Sequence, residues 1–333
     1  CTNKHCATWS SMAVHAALCL CISIFLAFVF AQAATAQSTL QATQVSTGLN
    51  TTCALMNNGT IQCWGRNDDF INNEPWIDPE QDLLQNTRVL TPNAIEGISG
   101  VKQIALGFDH ICILKHSGGV ECLGSNEFQQ LGSTAYSAAN GMDGTLDPVQ
   151  VDDIDGSVPA KTAVNIVAFG GGTCALMEDK SARCWGDNRL IVRPNLQKTN
   201  IIVGTLGDPT YGDASLEAAD NTSITNFEKG SAEPRRVGGP DGDMFSDKDG
   251  NLVSVDAAAI AFHASGGCLI ADNEVNGDAG TVWCWGSNSL GQLGYNQPGG
   301  NDSTKVSRTP QQVIFADDTA FTGAKAITGG SSH

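Results

Sequence analysis

Charge is scarce in this sequence, and positive charge is scarcest. Lys and Arg number 18 against 35 Asp and Glu, a formal charge of −17, and charged residues make up only 16% of the 333 residues. A field of that sign repels phosphate backbones and anionic lipid, so direct nucleic-acid binding is not expected. Enzyme signatures are missing too: there is no P-loop, no G-x-S-x-G elbow, no H-E-x-x-H pair and no dinucleotide fingerprint. Of the histidines after residue 36, namely His110, His116, His263 and His333, none sits in a context that nominates a base or nucleophile. No catalytic residue and no cofactor is therefore expected. Long hydrophobic runs are limited to one, Val14 to Phe30, followed by small residues. Read from Met12, it is a secretory signal peptide over residues 12–36, with Ala34 and Ala36 fitting the A-x-A cleavage pattern and Ala31 and Ala33 offering a second site. The alternative for a run near the minimum span is an uncleaved membrane anchor. Residues 1–11 read as upstream read-through, which leaves 37–333 as the folded region. A 41% hydrophobic content with 37 glycines suits a turn-rich globular fold rather than disorder.

What the sequence does have is a repeat. TCALMNNGTIQCWGRN (Thr52 to Asn67) returns as ICILKHSGGVECLGSN (Ile111 to Asn126), TCALMEDKSARCWGDN (Thr173 to Asn188) and GCLIADNEVNGDAGTVWCWGSN (Gly267 to Asn288). Such self-similarity implies one supersecondary unit copied and stacked. Of the 12 cysteines, Cys1, Cys6, Cys19 and Cys21 precede the cleavage site; the others form the couples Cys53–Cys63, Cys112–Cys122, Cys174–Cys184 and Cys268–Cys284. A hairpin centred on Asn58 makes Cys53 and Cys63 cross-strand neighbours, with Leu55 opposite Ile61 two positions further in. Leu114 likewise faces Val120, Leu176 faces Ala182 and Ile270 faces Val282. An even count with nothing left over favours disulfides in an oxidising compartment. Zinc on His110, His116, Cys112 and Cys122 is the competing reading, available in one repeat only.

These repeats resemble the RCC1 (regulator of chromosome condensation) family, whose units carry Gly-x-x-His, a short apolar strand, a turn and Trp-Gly-x-Asn-x-x-Gly-Gln-Leu-Gly. CWGSNSLGQLG (Cys284 to Gly294) matches best, through Trp285, Gly286, Asn288, Gly291, Leu293 and Gly294; LGSNEFQQLG (Leu123 to Gly132) is a near match, and Trp64 and Trp185 hold the tryptophan position in the first and third copies. VKQIALGFDH, AVNIVAFGGG and AKAITGGSSH supply a further strand signal before each hairpin, and the family histidine falls at His110 and His333. The resemblance implies an all-β fold, a β-propeller with each blade a small antiparallel sheet. The histidine would then be a structural tie within a blade, and the tryptophans blade-packing residues. Repeats fall at about 41–100, 101–162, 163–250 and 251–320, with a fifth beginning over 321–333. About four blades are visible of the roughly seven with which such propellers close, so C-terminal truncation is expected.

The spacing from Cys174 to Cys268 carries a long insertion, including PDGDMFSDKDG (Pro240 to Gly250). In an EF-hand register Phe245 takes the first position and only Asp247, Asp249 and Asp256 match, a weak calcium candidate against a solvated acidic loop. Sequons at Asn50, Asn58, Asn221 and Asn301 could carry glycan in a secreted chain. The expectation is a secreted or cell-surface binding module that recognises an extracellular protein, or a glycan, with membrane attachment only through an uncleaved leader or a C-terminal region beyond residue 333. By analogy the family implies guanine nucleotide exchange on a small GTPase, and inhibition of an extracellular enzyme is a further alternative.

Overall fold

A computed structural model describes residues 39–66, 88–136, 144–195, 198–203, 205–210, 230–263, 266–288, 291–295 and 306–330. The leader, Asn221, Asn301 and His333 lie outside them. The chain divides into Cys1–Gln41 and Ala42–His333, and every described strand belongs to the second unit. Among the described residues the one helical piece is a 3-10 turn, Pro159–Lys161, and no helix is long and apolar enough to cross a membrane.

Each repeat is a four-stranded antiparallel sheet. The first blade is β1 (Ala42–Thr47), β2 (Thr51–Met56), β3 (Ile61–Arg66) and β4 (Arg88–Ala94); the second is β5 (Val101–Leu106), β6 (His110–Lys115), β7 (Val120–Ser125) and β8 (Gly144–Gln150). The third is β9 (Ala163–Phe169), β10 (Gly172–Met177), β11 (Ala182–Asp187) and, after an inserted hairpin β12 (Arg189–Asn195) and β13 (Lys198–Val203), β14 (Gly230–Arg236). The fourth is β17 (Ala257–His263), β18 (Gly266–Ala271), β19 (Val282–Ser287) and β20 (Val306–Gln312), to which the short strands β15 (Phe245–Ser246) and β16 (Leu252–Val253) add at the outer edge. The inner strands β1, β5, β9 and β17 are successive neighbours, as in a propeller. Residues 321–330 form no strand, although the sequence gives AKAITGG the pattern of one. Ala324 and Ile327 pack instead on Ile270, Val282 and Cys284 of the fourth blade.

The middle hairpins have the register implied by their spacing. Cys53 lies opposite Cys63 and Leu55 opposite Ile61; Leu114 faces Val120, Leu176 faces Ala182 and Ile270 faces Val282. All four cysteine couples are disulfides with Cα atoms 4.1 Å apart, the close approach of a non-hydrogen-bonded antiparallel pair. The Cys112–Cys122 bridge removes the thiolates that a zinc site would need, and His116 is exposed while His110 is buried. At the longer fourth tip, Asn276 and Gly277 both take positive φ (54° and 88°) between bridged Val275 and Asp278, the backbone for which Asn-Gly turns are selected.

Side chains alternate across each middle strand, and both faces are buried. On β6, Ile111 and Ile113 join Ile61 of the first blade in one core, whereas Cys112 and Leu114 join Ile166 and Ala175 of the third in another. On β10, Ala175 and Met177 face back into that second core, and Cys174 and Leu176 face forward to Leu269 and Trp285 of the fourth blade. Each cystine therefore lies on its blade's forward face. Two-sided burial explains why TCALM and ICIL read as nearly continuous apolar runs rather than as clean alternation.

Polar ties lock the blades together. The Gln44 amide donates to Ile104 O (2.7 Å) and accepts from Ile104 N (2.9 Å); one blade on, Gln103 donates to Ile166 O (2.8 Å) and accepts from Ile166 N (3.1 Å). A side-chain amide thus completes the backbone pairing of the next inner strand. His110, expected to tie its own blade, instead reaches the next: its Nε2 lies 2.7 Å from Thr173 Oγ1. Its Nδ1 is buried without a partner, which assigns the neutral Nε2–H tautomer, donating to Thr173.

The family motif is a joint of the same kind. Asn126, Asn188 and Asn288 each accept through Oδ1 from the backbone N–H of the motif leucine, Leu131, Leu206 and Leu293, at 3.0, 3.1 and 3.0 Å. The loop so shaped receives the next blade's tryptophan: Trp185 Nε1 donates to Gln130 O (3.1 Å) and Trp285 Nε1 to Thr205 O (2.9 Å). A Cβ on Gly132 or Gly207 would come within 2.8 Å of that indole. Trp185 and Trp285 are fully buried, and Trp64, with no blade before it among the described residues, is half-buried. In the third copy the motif is interrupted, since β12–β13 lies between Asn188 and Thr205-Leu206-Gly207.

The outer strands β4, β8, β14 and β20 carry Pro92, Pro148, Pro234 and Pro310, each at the irregularity where the register slips between the motif cysteine and glycine. A residue without an N–H is tolerated at an outer strand and at a bulge.

Two outcomes follow. Replacing Cys174 and Cys184 together with alanine should lower unfolding free energy by roughly 2 to 3 kcal/mol, seen as a lower denaturant midpoint at similar slope; an unchanged midpoint would make the bridge dispensable. Burial holds the His110 pKa down at about 4, against about 6.5 in an unfolded chain. The unfolded state then binds more protons, so His110's contribution is complete above pH 6.5 and declines as pH falls from about 6.5 to about 4, by a total on the order of 3 kcal/mol. His110→Gln should flatten the acid limb of a Tm-against-pH curve in that window, and parallel curves would contradict the assignment.

Candidate functional site

Residues that could meet a ligand gather where the second and third blades adjoin. The second residue of the middle hairpin's second strand faces the preceding blade beside the motif tryptophan. In the fourth blade it is Trp283, fully buried, with Phe245 of β15 packed edge-on at 5.6 Å between ring centroids. In the third blade it is Arg183, and no ring covers it among the described residues. A groove of about 550 Å³ opens there, with Thr134 and Asp152 on the second-blade side and Arg183, Arg236, Asp208 and Pro240 on the third-blade side.

The charges of this groove are unevenly committed. Asp152 accepts from Ser133 Oγ (3.1 Å), Thr134 N (2.8 Å) and Thr134 Oγ1 (2.6 Å), and Asp208 accepts from Thr210 N and Oγ1 at 2.8 and 2.6 Å. Glu233 pairs with Arg235 at 2.9 Å and Asp153 with Lys161 at 3.1 Å. The hydrogen bond and charge of Asp153, with Asp155 beyond it, raise the Lys161 pKa, and the hydroxyl and N–H of Ser157 lower that of Asp155. Arg183 and Arg236 stand directly opposite one another in the β11–β14 register.

The calcium candidates are not brought together. Asp247 caps the β15–β16 turn, accepting from Asp249 N (2.9 Å), Asn251 N (2.8 Å), Asn251 Nδ2 (3.2 Å) and Asn276 Nδ2 (3.1 Å). Burial pushes its pKa up, but the donors outweigh that and hold it below the ordinary carboxylate value. Asp249 pairs with Lys248 at 2.8 Å, and among the described residues no group of three or more His, Cys, Asp and Glu side chains converges on a metal position. Asn50 and Asn58 are exposed, Asn58 at the hairpin tip. Sequence reading missed the paired arginines, because they are far apart in the chain and only the outer strand's register makes them neighbours.

The chain matches the description "Regulator of chromosome condensation (RCC1) repeat" over residues 42–70 and again over residues 279–333. No curated protein sequence matches it. Among solved structures it is similar to the crystal structure of Kap60 bound to yeast RCC1 (Prp20), with a TM-score of 0.57 and 15% identity over 84% of this chain and 50% of that one. It is also similar to human WBSCR16, with a TM-score of 0.52 and 17% identity over 82% of this chain and 52% of that one. The chain thus spans about half the length of the structures it matches. RCC1 repeats are therefore matched at residues 42–70 and 279–333, and the chain shares the propeller fold of RCC1.

Proposed function

We propose that this protein works outside the cytosol as a non-enzymatic recognition module, presenting the groove between its second and third blades to an extracellular protein. The observation that carries the reading is the set of four disulfides, one in every described blade, their cysteines buried apart from the half-buried Cys268. Cystines on that scale belong to secretory and extracellular proteins, because cytosolic thiol buffers keep such pairs reduced. The propeller supplies a rigid frame, and insertions in the third interval project from it, where binding residues are commonly placed. An exchange factor working on chromatin would operate among reduced thiols and polyanions, conditions that four cystines and a charge of −17 do not suit.

The test is expression of the chain with its own leader in eukaryotic cells, followed by non-reducing peptide mass spectrometry of medium and lysate. Protein in the medium that begins near Gln37 with Cys53 bridged to Cys63, and the other couples likewise, is the expected outcome. Retention in the cytosol with free thiols would defeat the reading.

A further inference from the structure

We propose that Arg183 and Arg236 form a carboxylate-binding site that holds an acidic side chain of a protein partner in the groove between the second and third blades. This rests on the reading of that groove as a recognition surface and says what it recognises. Like charges placed directly across an antiparallel pair destabilise the sheet, and here they occur in a chain with an excess of acid. Lys115, Lys161, Lys180, Arg235 and Lys248 each pair with a carboxylate. Arg183 and Arg236 have no such partner among the described residues, and Arg183 Nε is buried with no acceptor, a donor whose desolvation goes uncompensated.

The pair is also held in place. A Cβ at Gly242 would approach within 2.6 Å of Arg236 Nε, so the turn ending at Gly242, at φ 71°, lets the guanidinium lie against the inserted loop. Arg183 is fixed by the strand that buries Trp185 two residues on. Two planar forks that line one groove from facing register positions offer paired donors for the two oxygens of a carboxylate. The surrounding acids, Asp152, Asp153, Asp208 and Glu233, oppose any anion and oppose a doubly charged phosphate or sulfate more strongly than a carboxylate.

The experiment uses the purified disulfide-bonded chain and three fluorescent octapeptides of one otherwise neutral sequence, whose central pair of residues is Glu, Gln or phosphoserine, followed by anisotropy at low salt. The Glu peptide should bind roughly tenfold or more tightly than the Gln peptide, and that preference should vanish in Arg183→Gln/Arg236→Gln. The Tm of this variant should be equal to or above that of the parent, since a like-charge pair has been removed. Equal binding of Glu and Gln peptides, preference for the phosphoserine peptide, or a variant that loses several degrees of Tm would each overturn the assignment. Because the protein is already purified and bridged, failure here leaves the extracellular reading standing, and failure of secretion leaves this result standing.

Discussion

The constraint on which the rest of this structure depends is that each blade is apolar on both faces. A four-stranded sheet of that kind cannot stand alone in water; it must be pressed between two others. At about 25 cal/mol per Å² of apolar surface removed from water, the contact between blades is the main favourable term in the fold. It also dictates why the strands of the middle hairpins are the most regular feature of the sequence. Substituting a charge on either face of β6 or β10 would strike one of two cores, so neither face is free to vary.

Apolar faces alone would let blades slide, and directional ties remove that freedom. Gln44 and Gln103 pin inner strand to inner strand, His110 pins one middle strand to the next, and the indoles of Trp185 and Trp285 pin the middle of one blade to the loop of the preceding one. These ties sit at different radii from the axis, so together they set the angle between blades as well as their separation. The third copy shows how robust the arrangement is. A whole hairpin enters the motif loop between Asn188 and Thr205, yet Asn188 still holds Leu206 and Gly207 still receives Trp285. The groove lies between the second and third blades, beside the joint that Trp185 makes with Gln130.

The legible part of the fold was the part governed by short-range rules. Cysteines at a fixed spacing around turn residues, with apolar partners two positions inside, specify hairpin, register and disulfide together. The outer strands escaped because RVLTPNA, GTLDPVQ, GSAEPRR and VSRTPQQ are polar, contain proline and have no apolar rhythm; only their x-Pro recurrence marks them, and it becomes meaningful once the bulge is seen. Gln44 and Gln103 were invisible for a related reason, since a glutamine in a strand gives no sign that its amide will stand in for a missing strand partner. The repeat motif marks His110 as a tie within its blade, and the distance to Thr173 shows that the tie crosses to the next. Asp247 fits the spacing of a calcium loop, whereas its partners are its own turn and Asn276 of the fourth blade's long tip.

The prolines of the outer strands have a consequence beyond the bulges they occupy. A propeller turns the outer edge of every blade toward solvent, and an unpaired strand edge is a template on which another chain can grow a sheet. Pro92, Pro148, Pro234 and Pro310 withdraw one donor from each of these edges at the point where the strand is already bent, so an incoming strand would meet a gap in the ladder just where it would need to register. In the fourth blade β15 and β16 also occupy the edge itself. The fold thereby guards its perimeter against β-mediated self-association at high local concentration, which is the condition a chain meets when many copies fold together in a confined compartment.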